Sequence, residues 1–163
     1  MKNTGLCYIE HNGMYLMLHR VKKENDENRD KWIGIGGKFE EAESPEDCIL
    51  RELSEECGIV PAQLHFRGIV TFISEKWGTE YMHLFTAECT DEDFLKSSSF
   101  PCDEGVLEWV PVSEIPGLPI WEGDRLFLGY LAEGKPFFSL KLVYDISDTL
   151  TSAFLDGKML NIS

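Results

Sequence analysis

Between Trp32 and Gly58 the chain passes from a short apolar run, Trp32-Ile33-Gly34-Ile35-Gly36-Gly37, into a segment punctuated at both ends as a helix. Glycine inside a strand-like run marks a place where another group comes close, because there is no Cβ to hold it off. Ser44 is a capping residue, Pro45 suits the first helical position, and Glu46 and Asp47 favour the positive end of the helix dipole. Gly58 supplies a left-handed residue beyond the last turn, which predicts a helix ending near Cys57. Residues three and four apart share a helix face, so Ile49, Leu53 and Cys57 form an inward stripe while Glu52, Glu55 and Glu56 crowd an adjoining edge. A chain with this strand–loop–helix passage needs a sheet for the strand to join and the stripe to cover.

The remaining sequence supplies that sheet. Residues 6–10 and 14–19 flank His11-Asn12-Gly13, and Asn-Gly predicts a tight hairpin. Further strands are expected at 64–73, 80–88, 106–112, 137–144 and 150–154, with a second helix over 121–132. Residues 22–31 contain no apolar side chain and read as a surface connector or, alternatively, as a lid over a site. No repeat or Pro/Ser-rich linker divides the 163 residues, so one α+β domain over 1–163 with a mixed sheet is expected.

The acidic helix edge has two readings. Exposed like charges at this spacing cost only ~0.2–0.5 kcal/mol per pair, so the cluster alone could be an ordinary solvated face. In a cleft, two unit charges ~6 Å apart at an effective dielectric of ~20 repel by roughly 3 kcal/mol. Such a group needs protons or a divalent cation, and hard carboxylate oxygens suit Mg²⁺ or Mn²⁺. The charge balance sharpens the choice: 15 Lys and Arg against 29 Asp and Glu give a formal net charge of −14. That excludes stable binding of nucleic acid through its phosphates and docking on anionic membranes. A small phosphorylated substrate remains compatible if a metal ion supplies positive charge.

The spacing of the whole segment carries more. Gly37, five residues, Glu43, seven residues, then Arg51-Glu52-Leu53-Ser54-Glu55-Glu56-Cys57-Gly58-Ile59 meets every specified position of the Nudix box, here residues 37–59. A chance match in a chain of this length has a probability on the order of 10⁻⁸ to 10⁻⁷ from average residue frequencies. The chain thus resembles the Nudix hydrolases. Beyond the box, Lys31 to Lys38, Asp103-Glu104 and Trp121-Glu122-Gly123-Asp124 are similar to the MutT-like branch that contains 8-oxo-dGTP and oxidised-purine nucleotide diphosphatases.

The resemblance implies an α/β/α sandwich around a mixed sheet and a cytoplasmic, Mg²⁺- or Mn²⁺-dependent enzyme acting on a nucleotide, as a monomer or homodimer. It implies that Glu52, Glu55, Glu56, Glu104 and the backbone carbonyl of Gly36 hold metal. Glu55, Glu56 and Glu104 would serve catalysis, Arg51 would orient the glutamates, and Glu43 would brace the loop. Trp121 and Asp124 would contact the purine, with Ile33 beside it, and Lys38 and Arg20 could meet phosphate. Two positions depart from the oxidised-purine branch: Ile33 stands where an amide side chain reads the base, and Gly123 replaces one of two adjacent acids. Isoleucine has no hydrogen-bonding group, so the expected discrimination between oxidised and normal guanine is modest.

Trp121 has the alternative of a packing residue, and Asp103-Glu104 that of a solvated pair. Alternative substrates within the family are dinucleoside polyphosphates, nucleotide sugars and RNA 5′-pyrophosphates; a non-catalytic nucleotide sensor is the alternative from another class. His11, His19, His65 and His83 lack ligand spacing and receive no catalytic role. Five dispersed cysteines without a CxxC point to packing residues in a reducing compartment.

Overall fold

A computed structural model of the chain describes residues 1–162; Ser163, the last residue of the expected domain, lies outside it. The chain begins with β1 (Lys2–His11) and β2 (Met14–His19), joined through Asn12 and Gly13. Both turn residues have positive φ, 52° and 75°, as the Asn-Gly pair predicts. The 32–37 run is split at Gly34 into β3 (Trp32–Ile33), which pairs with β2, and β4 (Ile35–Lys38), which pairs with β1. The break has a physical cause, because a Cβ at Gly34 would lie 2.6 Å from the carbonyl oxygen of Cys7.

Helix α1 (Pro45–Cys57) has the expected ends. Ser44 Oγ accepts from Asp47 N, Asp47 returns a bond to Ser44 N, and Gly58 sits at φ 69°. Ile49, Leu53 and Cys57 are buried, and each fully buried aliphatic side chain contributes about 1.5–3 kcal/mol.

Strands β5 (Gln63–Ser74) and β6 (Gly78–Glu88) form a long hairpin, and helix α2 (Asp91–Ser97) follows. Then come β7 (Val106–Pro111), a 3₁₀ turn over Val112–Gly117, α3 (Asp124–Ala132), β8 (Phe138–Tyr144), β9 (Leu150–Leu155) and β10 (Lys158–Met159). The expected helix over 121–132 is shorter by three residues, because Trp121 to Gly123 form the turn that leads into it. Helix α2 was absent from the sequence expectation.

All ten strands belong to one mixed sheet, ordered β10-β9-β8-β5-β6-β1-β2-β3, with β4 on β1 and β7 on β2. β1 runs parallel to β6 and β5 parallel to β8; the other pairings are antiparallel. Side-chain alternation divides the core between the two faces. Leu6, Tyr8, Tyr15 and Met17 face the layer containing α3, while Cys7, Ile9, Leu16 and Leu18 face α1. This is the expected α+β sandwich. The register shift between Phe66 and Gly68 turns β5 over, so Phe66 joins the α1 layer and Val70 and Phe72 join the α3 layer.

The tightest fit in the molecule involves β4. Gly36 pairs with Leu6, and a Cβ on it would fall onto the carbonyl oxygen of Gly5, a backbone atom that cannot rotate away. Gly36→Ala should therefore lower stability by about 1–3 kcal/mol, the usual range for overpacking. Urea unfolding should show a lower midpoint at unchanged slope; an unchanged midpoint would refute the close approach.

Candidate active site

Helix α1 and the loop before it place one cation among the acids of the box. Arg51 grips Glu43 with two bonds, Nε to Oε2 at 2.7 Å and one terminal nitrogen to Oε1 at 2.9 Å. Its other terminal nitrogen reaches Glu52 at 2.7 Å and Glu55 at 3.3 Å, and the carbonyl of Lys38 accepts a bond at 3.0 Å. The guanidinium fork has the donors to serve all four partners at once. The hydrogen bonds from Arg51 lower the Glu43 carboxyl to about 2, so this brace is ionised at any ordinary pH. Glu52 is raised, first by burial, and its carboxylate occupies the space in front of Gly37: a Cβ there would lie 2.6 Å from Oε1. That contact is a structural reason for the glycine that opens the box.

Glu56 faces the other way. It is only 8% exposed, and the Gly36 N–H donates to its Oε2 at 3.2 Å. Its carboxyl is also in hydrogen-bonding contact with Glu104, from the loop before β7. Burial, and then the neighbouring Glu104, push Glu56 well above the usual carboxylate range, so the pair titrates as a unit that favours one shared proton. Against the desolvation of its own partial burial, the Glu56 hydrogen bond and the cations of Arg20 and Lys23 lower Glu104. Arg20 lies 3.3 Å from Glu104 and 2.8 Å from Asp26, and Lys23 lies 3.6 Å from Glu104.

A cavity of about 210 Å³ opens beside this pair. Gly36, Arg20, Glu104, Trp121 and Asp124 line it, with Ile33 as an apolar wall. The structure thus brings Gly36, Glu56, Glu104, Arg20, Ile33, Trp121 and Asp124 to one region. It holds Glu52 and Glu55 at the Arg51 side, where the Glu55 side chain is 58% exposed. Lys38 lines an adjoining shallower depression together with Arg20, Lys23 and Lys2.

Trp121 is 5% exposed and fixed on several sides. Its Nε1 donates to Asn28 at 2.8 Å, Phe72 and Tyr144 meet it edge-on, and the Lys31 ammonium lies 4.5 Å from its ring centre. The packing alternative therefore describes much of this side chain, although it still borders the cavity. The polar segment 22–31 folds across the mouth, where Asp26, Glu27 and Asn28 join the lining. Sequence reasoning also missed Lys2, Thr4 and Glu80. The alternation Glu80, Met82, Leu84 in a strand was the available signal, since it puts a carboxylate on an inward face.

Among the described residues, no three His, Cys, Asp or Glu side chains are gathered closely enough to enclose an ion as they stand. Arg51 draws Glu52 and Glu55 to one side while Glu56 turns to Gly36 and Glu104. The donor chemistry is nevertheless that of a hard-cation site, and the shared proton of the Glu56–Glu104 pair occupies the electrostatic place that a divalent cation could take.

Residues 2–130 match the NUDIX domain family, and the chain belongs to that family. It is a hydrolase of the kind that acts on nucleotide diphosphates, and such enzymes generally use a divalent metal. The chain is 28% identical over 153 residues to the "Uncharacterized Nudix hydrolase YvcI" of Bacillus subtilis (strain 168), covering 92% of this chain and 91% of that protein. It is 31% identical over 110 residues to the mouse "Oxidized purine nucleoside triphosphate hydrolase", covering 66% of each. In fold it is similar to a MutT protein from Bacillus halodurans, with a TM-score of 0.78 and 23% identity over 96% of this chain and 98% of that one. No helix of the described residues is long and apolar enough to cross a membrane.

Asp124 generates a prediction independent of catalysis. Burial pushes its carboxyl up to about 8, while the cations of Arg125 and Lys31 oppose the shift. An unfolded chain releases this proton near pH ~3.9. Between these values the native state binds more protons than the unfolded one, so the Asp124 contribution to stability falls as pH rises from about 4 to about 8. Asp124→Asn, neutral throughout, should lack that decline. Urea unfolding of both proteins at pH 5 and pH 8 should show the variant gaining on the wild type at the higher pH; a constant difference would refute it.

Proposed function

We propose that this protein is a Mg²⁺- or Mn²⁺-dependent nucleoside triphosphate pyrophosphohydrolase, acting on purine nucleotides, oxidised ones among them, and releasing a nucleoside monophosphate and pyrophosphate. The observation that carries the reading is one cavity lined by two chemically different sets of side chains. Glu104, touching Glu56, and Arg20 are one set; Trp121, Asp124 and the apolar Ile33 are the other. The first set suits a phosphate chain and the second a base. The activity for which the mouse relative is named supports the same substrate class.

In this reading Glu52, Glu55, Glu56, Glu104 and the Gly36 carbonyl would hold the metal, which would supply charge neutralisation for the phosphates and a more nucleophilic water. Arg51 and Glu43 orient the glutamates. Arg20, Lys23 and Lys38 border the mouth, and their cations offer phosphate contacts that an acidic protein otherwise lacks. Water attacks a phosphorus atom and gives its proton to a carboxylate of the cluster. The anhydride P–O bond breaks, and pyrophosphate departs with the bonding electrons.

Two measurements test this. Pyrophosphate release from a panel of nucleoside triphosphates should require Mg²⁺ or Mn²⁺ and stop on chelation; full activity after exhaustive metal removal would overturn the reading. Glu56→Gln keeps the shape of the side chain but can never become a carboxylate ligand, and should lower kcat at least ~10²-fold with the circular dichroism spectrum unchanged. An unchanged kcat would move the chemistry elsewhere.

A further inference from the structure

Glu80 takes no part in the acidic helix, yet it borders the same cavity as Asp124. It sits on β6, opposite Lys2 of β1 and Phe72 of β5, and its side chain is 14% exposed. Thr4 Oγ1 donates to its Oε2 at 2.7 Å, and the Lys2 ammonium lies 3.4 Å from Oε1. Lys2 also reaches Glu27 at 3.0 Å, so the cation is shared and does not saturate Glu80. A carboxylate offers about four acceptor sites on its two oxygens, which leaves capacity facing the cavity.

Asp124 is the second observation. It is 6% exposed and lines the cavity, and because no fully buried side-chain oxygen lacks a partner among the described residues, a carboxyl without a protein hydrogen bond keeps its oxygens open to that cavity. A carboxyl so placed has room for a ligand. Ile33, Leu6, Met82 and Phe72 are apolar walls, and of the other polar lining residues Thr4 is engaged by Glu80, Asn28 by Trp121, Asp26 by Arg20 and Glu27 by Lys2. Reading a flat ring held there falls first to Glu80 and Asp124.

We propose that Glu80, beside Asp124, is a specificity-determining residue whose carboxylate accepts the N–H donors of an oxopurine, so that guanine and 8-oxoguanine are held in preference to adenine. The inference rests on the nucleotide-hydrolase reading above and deepens it. Guanine and 8-oxoguanine present a ring N–H beside an exocyclic amino group, two adjacent donors that match the two oxygens of a carboxylate. Adenine presents a bare ring nitrogen at the corresponding position, whose lone pair opposes a carboxylate oxygen. A site built around a hydrogen bond rejects analogues that cannot make it far more strongly than an apolar pocket does. Glu80 thus supplies the discrimination that Ile33 cannot.

The test compares kcat/KM for dGTP, 8-oxo-dGTP, dITP and dATP with Mg²⁺ in wild type, Glu80→Gln and Lys2→Met. Glu80→Gln keeps an acceptor for Thr4 but loses the paired acceptor oxygens. It should lower kcat/KM for dGTP and 8-oxo-dGTP by about tenfold or more, chiefly through KM, and leave dATP within about threefold. Lys2→Met removes the ion pair without removing the reader, and should change all four nucleotides alike. A uniform loss in Glu80→Gln, or the same change of base preference in Lys2→Met, would overturn the proposal.

Wild type alone gives a second reading that requires no variant to fold: dITP, which lacks the amino group, should be a poorer substrate than dGTP by about fivefold or more. Equal use of the two would overturn it. If wild type hydrolyses no triphosphate, the hydrolase reading fails on its own. Calorimetric binding of dGMP against dAMP then decides the inference: a preference for dGMP that Glu80→Gln abolishes supports it, and no preference refutes it.

Discussion

Strand β4 lies so close to β1 that no side chain fits between them at Gly36, and the geometry of the site depends on that fit. The same closeness is repeated on the helix side, where a Cβ at Gly5 would lie 2.7 Å from Ile49 Cδ1 and one at Gly37 would displace the Glu52 carboxylate. Helix α1 is thereby seated directly on the sheet, with Ile49 and Leu53 filling the contact. Its acidic edge is then forced to the rim of the sheet beside the cavity. The Gly36 N–H, exposed by the missing side chain, becomes the donor that fixes Glu56. Glycines, apolar stripe and acids are three parts of one packing solution.

That solution gathers negative charge in a protein already at −14, and the structure divides the burden between two cationic groups. Arg51 serves Glu43, Glu52 and Glu55. Isolated surface ion pairs contribute only ~0–1 kcal/mol, so the value of this network lies in orientation more than in stability. Arg20 and Lys23 serve Glu104. Glu56 stands between the two groups with a backbone N–H and another acid as its partners, so ionisation of both acids together is disfavoured. A fold that holds one carboxyl neutral against its neighbours retains a place where a doubly charged cation would be strongly favoured.

How much of this was legible depended on whether the signal was local. The cap at Ser44, the left-handed Gly58 and the inward stripe of α1 are written within one turn or two of the chain, and the structure has all of them. The hairpin at Asn12-Gly13 was legible for the same reason. Helix α2 escaped notice because it has only seven residues and too few apolar positions to establish a period, although Thr90 caps it. The division of the 32–37 run into two strands depends on the Cys7 carbonyl, a partner some 27 positions away that periodicity cannot reveal. Likewise, the choice between connector and lid for the polar segment required knowing that Asn28 meets Trp121 and Glu27 meets Lys2.

The base end of the cavity shows where sequence resemblance and physical packing diverge. Resemblance points to Trp121 as a stacking platform, but Phe72, Tyr144, Asn28 and Lys31 already hold that ring. Much of what it presents to a ligand is a fixed wall. The costly groups there are the carboxyls: burial raises Asp124, and it raises Glu80 as well. A core optimised only for stability would replace both with apolar residues, since burying an acid costs more than most single contacts return. They persist at the cavity that Glu104, the partner of Glu56, also lines. Local rules are usually broken where function requires it. Two breaches sharing one cavity, one suited to phosphate and metal and the other to a donor-bearing ring, are what a site for a whole nucleotide demands.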